Sequence, residues 1–333
     1  MKKFFLSLLF LLSMTIHAQF EDIFASGSDA DKFVNHYTAP FLKGMMSATN
    51  ASWVTSAKPI KPFHFEINLS ASGAFIPPEK ENFTFDENEY QFIRIDSGPA
   101  TVPTVMGGES HTRLKIVIPL NNNEIKLLDF DAPSGVRDEL PLNIIPAPTL
   151  QVAMGLPMGS EVNLRYAPKL TNEDGAYFTI IGLGVKHSLS QYFKKKSKFN
   201  LAGHLSYQHI GAGVDEVSNN KAVHFSINTI SLQGIASLDY TILSLYSKLG
   251  FTQGFTNLDV LGTYDYTYDV QDNNGNHIRY ETVSVTDPLK LSQDLNGLKL
   301  GVGFKLKLAF FQVFADYTLQ EFPVANLGLG VKF

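Results

Sequence analysis

The stretch PFHFEINLSASGAF, residues 62–75, decides the fold. Phe63, Phe65, Ile67, Leu69, Ala71 and Phe75 fall on one face of an extended chain, while His64, Glu66, Asn68, Ser70 and Ser72 fall on the other. A strand of this length with one apolar and one polar face fits a wall between lipid and a watery interior. The same alternation recurs through TLQVAMGL, EVNLRY, GAYFTIIGLGVK, FNLAGHLSYQH, TISLQGIASLDY, ILSLYSKLGFTQG, GLKLGVGFKLKL, FFQVFADYTLQ and NLGLGVKF. Aromatic residues at strand ends, among them Phe75, Tyr166, Tyr177, Tyr240 and Phe311, are spaced like an interfacial girdle.

Connectors sort into two kinds. Short links alternate with longer polar ones, as in outer-membrane barrels with tight periplasmic turns and long external loops. Ten strands map directly. HTRLKIVIPL and EIKLLDF, flanking an NNN turn within residues 76–147, read as either a membrane hairpin or an extracellular one. The expectation is an all-β, antiparallel, up-and-down transmembrane barrel over 61–333, of about 12 strands within roughly 10–14. DNNGNH at 272–277 lacks the carboxylates of a calcium loop and reads as a turn.

The first 18 residues carry Lys2 and Lys3, an apolar run from Phe4 to Leu12 and Ala18 at a cleavage position, which predicts a secretory leader and delivery to the cell outer membrane. Residues 19–60 form a separate unit. Ser28 and Asp29 offer an N-cap, and Phe33, Tyr37, Phe41 and Met45 make a helical stripe bent at Pro40, either a plug or a periplasmic arm. Cysteine is absent, which excludes disulfides, thiolate metal sites and a Cys nucleophile. A formal net charge of -5, made more negative by losing the leader's two lysines, argues against nucleic acid.

The polar face predicts what lines the lumen. It gathers His64, Glu66, Arg165, Lys186, His204, Asp239, Lys248, Lys305 and Asp316, with Glu161, Lys299, Lys307 and Lys332, an excess of positive charge. Such a lining either favours a small anionic solute or fills a narrow barrel with ion pairs. Phe178, with Ile180, Phe314 and Tyr246, points inward too, either as a greasy path for a hydrophobic solute or as packing for the helix. His64 and His204 have no metal-ligand spacing. His187 and Ser188 are adjacent on a strand, point to opposite faces and cannot form a base–nucleophile pair. No enzyme, cofactor or metal is expected.

WVTSAKPIKPFHFEI at 53–67, PTVMGG at 103–108, RYAP at 165–168 and GLGVKHSLSQ at 182–191 resemble the boxes of a family of uncharacterised Gram-negative outer-membrane barrels. The resemblance implies location and fold, with no activity attached. The helical unit ahead of the first strand gives a looser likeness to outer-membrane long-chain fatty acid channels. The expected function is a channel or binding protein for a small hydrophobic or anionic solute, alternatively a sealed barrel working through its external loops. Expected partners are outer-membrane lipid and, through Phe333, the barrel-assembly machinery, with the protein a monomer.

Overall fold

The computed structural model describes residues 23–24, 26–120, 123–171, 175–193, 198–216, 221–271 and 277–333. The leader at 1–18 lies outside them, as do most of the NNN, NEDG, KKKSK and DNNGNH connectors.

The chain opens with helix α1 (Ser28–Thr49) and continues into β1 (Phe65–Phe75). Next come β2 (Asn82–Thr84), β3 (Ile93–Ser97), β4 (Thr101–Pro103), β5 (Arg113–Leu120) and β6 (Asn123–Asp131). The run β7 (Ile144–Leu156), β8 (Ser160–Thr171), β9 (Ala176–Ser188), β10 (Phe199–Glu216), β11 (Lys221–Asp239) and β12 (Leu243–Leu261) follows. A hairpin of β13 (Thr263–Gln271) and β14 (His277–Thr286) precedes β15 (Leu289–Leu308), β16 (Phe311–Leu319) and β17 (Val324–Lys332).

Ten of these, β1, β7 to β12 and β15 to β17, close into an antiparallel barrel in which β17 pairs back onto β1. Register follows the apolar face. Leu69 stands opposite Leu150 on one side and Leu329 on the other, and Leu249 opposite Leu300. A slip of one residue would turn the whole lipid-like face inward, so the pattern itself pins the pairing. Outward leucines are open, Leu232 at 61 % and Leu298 at 72 % exposure, while inward Glu66, Asn68, Ser70 and Ser72 are buried.

The expected twelve strands are corrected to ten. HTRLKIVIPL and EIKLLDF become β5 and β6, which pair with each other and with β3 in a separate sheet. Their alternation is real but serves another boundary. Leu114, Ile116 and Phe130 face a buried cluster, and the other face carries the pairs Arg113–Asp129, Lys115–Asp96 and Lys126–Asp129. Period-2 alternation marks an interface with a core and does not say whether the opposite side meets water or lipid.

This cap sheet closes over the helix. Phe33, Val34, Tyr37, Met45 and Met46 of α1 form one buried cluster with Phe85, Tyr90 and Ile93 of the cap and Ile145, Ile210 and Ile227 of the wall. Gly44 lets the helix come close to the wall, since a Cβ there would lie 2.5 Å from Ile145 Cδ1. The helix continues through Pro40. Its start differs from the expected cap: Gly27, with φ of 61°, holds the N-cap position with no side-chain cap bond. Asp29 is turned instead toward the cap segment, accepting from the backbone N–H groups of Gln91, Phe92 and Ile93. No helix among the described residues is long and apolar enough to cross a membrane.

Candidate functional site

Residues 50–64 leave the helix, run along the barrel interior and reach β1 at the end with the short turns. They form a thread through the lumen, fastened in layers by residues whose alternation turns them inward.

At the first layer stands Arg165 of β8, 1 % exposed. Its Nη1 donates to Thr49 O at 2.8 Å and to Gln208 Oε1 at 3.1 Å, its Nη2 to Ala51 O at 2.6 Å, and its Nε to Gln151 Oε1 at 3.0 Å. The guanidinium carbon sits 3.8 Å from the Trp53 ring centre. A cation at the carboxyl end of α1 meets both the dipole and carbonyls that have no helical partner. Trp53 donates to Asn50 Oδ1, Asn50 to Thr252 Oγ1, and Gln151 to Trp53 O. Gly182 and Gly184 make room for the indole, as a Cβ on Gly184 would lie 2.7 Å from His204 Nε2 and 3.1 Å from Trp53.

Below it, each inward acid meets a lysine. Lys186 Nζ lies 2.7 Å from Glu161 and donates to Ser56 O, and Glu161 accepts from Ile60 N. Lys248 pairs with Asp316 at 2.8 Å, and Tyr246 donates to the same carboxylate. Lys305 and Lys332 approach Glu66, while Asp239 accepts from Ser56 and Asn200 and faces Lys307. The thread and wall leave a cavity of about 450 Å³ at the short-turn end, lined by Lys58, Lys61, Lys186, Lys305, Lys307 and Lys332 against Glu66, Glu161 and Asp239.

Of the residues named from sequence, Glu66, Arg165, Lys186, His204, Asp239, Lys248, Lys305 and Asp316 are buried and inward. Phe178 is half-buried and packs on the helix cluster. His64 is corrected: it is exposed at the turn before β1, its Nδ1 3.1 Å from Pro62 O. Phe63 has φ of 62°, and this left-handed residue resets the alternation, which begins at Phe65. His204 stands beside Trp53, its Nδ1 3.0 Å from Gln233 Nε2. His187 meets Ser160 Oγ at 2.8 Å across the β8–β9 pair, and its Nε2 contacts Tyr192 OH at 2.9 Å.

Sequence reading missed Trp53, Asn50, Ser56 and Gln151. Only Trp53 carried a signal, as the single tryptophan of the chain. The thread's position is testable. Ser56 Oγ lies 3.5 Å from Ser237 Oγ, and the protein has no cysteine of its own. Ser56→Cys combined with Ser237→Cys is expected to cross-link on mild oxidation, read as a linked peptide pair by mass spectrometry. Absence of the link in folded protein would mean that the thread runs elsewhere.

The model of a family of unknown function (DUF6588) matches residues 1–333. No curated protein matches the sequence. Among solved structures the chain is similar to the attachment invasion locus protein Ail of Yersinia pestis, at 12% identity and a TM-score of 0.23, covering 82% of this chain and 100% of that one. It is also similar to the transport unit of the autotransporter AIDA-I from Escherichia coli, at 10% identity and 0.32, covering 90% and 98%. A third is the Pseudomonas putida toluene transporter TodX, at 8% identity and 0.27, covering 90% and 96%.

Proposed function

The chain belongs to the DUF6588 family, and we propose that it is an outer-membrane barrel, plugged by its own amino-terminal segment, that accepts a small anionic solute from the periplasmic side. An uninterrupted outward belt of leucines around a closed barrel supports the membrane reading, because an apolar surface of that extent has no stable partner in water. The short turns then face the periplasm and the cap sheet faces outward. Phe333, paired with Phe65 at the periplasmic rim, is the residue we assign to recognition by the assembly machinery.

The observation that carries the solute class is the lining of the 450 Å³ cavity, where six lysines stand against three carboxylates. In a low-dielectric wall an excess of fixed positive charge lowers the barrier for anions and raises it for cations. The inward aromatics are engaged: Phe178 packs on the helix cluster and Tyr246 holds Asp316. This favours an anionic over a hydrophobic solute. Helix, thread and cap fill the outer part of the lumen, so passage requires the plug to move. Among the described residues the imidazole behind Ser160 meets Tyr192 and Gln191 in place of a carboxylate, and this reading assigns it no catalytic role.

Planar-bilayer conductance tests it. The refolded full-length protein is expected to be silent, and a form lacking residues 19–58 is expected to conduct with anion preference in the reversal potential. A truncated form that folds, judged by heat-modifiable gel migration, yet stays silent or prefers cations would overturn the reading.

A further inference from the structure

We propose that a single halide ion, or a monovalent anion of that size, is bound between the thread and the wall at Lys299. Lys299 of β15 is 7 % exposed, and among the described residues no carboxylate or other acceptor meets its ammonium. A buried ammonium with neither counter-ion nor hydrogen-bond acceptor loses its hydration without replacement. Either the lysine stays neutral or a counter-ion comes from solution.

The surroundings point to the second. Lys299 borders a cavity of about 20 Å³ shared by Lys248, Ser47, Asn50, Ser52, Trp53 and Thr318, among others. That is room for one particle of about the size of a water molecule and too little for phosphate or a carboxylate-bearing solute. Two lysines line it, and the one carboxylate paired with either, Asp316, is on Lys248 and also takes Tyr246 and Asn326.

The thread's own acceptors do not compensate the ammonium. Ala51 O already accepts from Arg165, Trp53 O from Gln151, Asn50 Oδ1 from Trp53 and Ser52 Oγ from Asn326. Left over are the Lys299 ammonium, which can only donate, and the Ser47 hydroxyl, which is buried without a partner and can donate or accept, with the carboxamides of Gln233 and Gln320 also on the lining. A neutral water there would leave the second lysine's charge uncompensated, whereas an anion compensates it and accepts from both groups. Since Ser47 belongs to α1 and Lys299 to the wall, the ion would act as a keystone joining plug to barrel.

This inference goes beyond the solute reading and stands whether or not the lumen conducts. The test uses refolded full-length protein in detergent, with the heat-modifiability midpoint followed in sodium bromide against sodium gluconate at equal ionic strength. Bromide is expected to raise the midpoint saturably by roughly several degrees, and Lys299→Met is expected to abolish the difference between the salts. Equal midpoints for the unmodified protein, or an undiminished bromide effect in Lys299→Met, would overturn the proposal. Should Lys299→Met fail to fold, anomalous scattering from bromide-grown crystals of the unmodified protein decides. A peak between Lys299 and Ser47 supports the site, and no peak there rejects it.

Discussion

Arg165→Ala is expected to release the thread while leaving the wall intact. Arg165 ties the helix end, the tryptophan and two wall glutamines together, and its removal leaves the Ala51 carbonyl without its donor and the Thr49 carbonyl with Gln208 alone. A buried acceptor left without a partner costs about 1–3 kcal/mol, and breaking a buried charge network about 3–5 kcal/mol. The loss falls on the contact between thread and wall, because the backbone ladders that join β8 to β7 and β9 do not depend on this side chain. Limited proteolysis of refolded protein should therefore cut within residues 28–60 in Arg165→Ala and spare that segment in the unmodified protein. Arg165→Lys should recover only part of the protection. A single ammonium cannot reach both carbonyls and also stack on the indole as a planar guanidinium does. If Arg165→Ala resists protease as the parent does, the thread is held by something other than this residue.

Asp29→Ala is expected to act at the opposite end of the helix. The carboxylate is fully buried and accepts from Gln91 N at 3.0 Å, Phe92 N at 2.5 Å and Ile93 N at 3.1 Å. Three amides then lose a charged acceptor together, at a cost of about 3 kcal/mol or more. Hydrogen exchange should accelerate at residues 91–93 and through β3, with barrel migration on gels unchanged. Asp29→Asn should fall between, because its amide nitrogen presents a second donor to groups that are themselves donors. Unchanged exchange in Asp29→Ala would separate the cap from the helix and dismiss this contact as a latch.

The wall was readable because a membrane-like barrel repeats one instruction, apolar outward and polar inward, along every strand. β1 and β17 can be written down from FHFEINLSASGAF and NLGLGVKF with inward Glu66, Asn68 and Asn326 assigned correctly. The cap was not, since β5 obeys the same instruction with water in place of lipid behind it, and only its partner β3 reveals which. His64 misled because a left-handed Phe63 breaks the count by geometry, and alternation does not register a local backbone turn. Asp29 looked like a helix cap because that is where aspartate usually serves, and its true partners lie some sixty residues on. The lumen's ionic residues could be named from their face, but their binding to residues 50–60 is a contact between distant parts of the chain. Ser56 and Asn50 are unremarkable in sequence for that reason.

The direction of the thread bears on the order of assembly. Helix α1 lies under the cap, β1 starts at the far rim, and the covalent link between them passes through the closed ring. A finished cylinder would have to admit the helix and the thread end on, past the cap sheet that closes over them. A wall that wraps around the strand of chain it encloses avoids that passage, and the β1–β17 junction is the seam where the two ends of the barrel meet. Whatever stabilises that seam early, before Trp53 has found Arg165, would strand the helix outside and trap an empty tube.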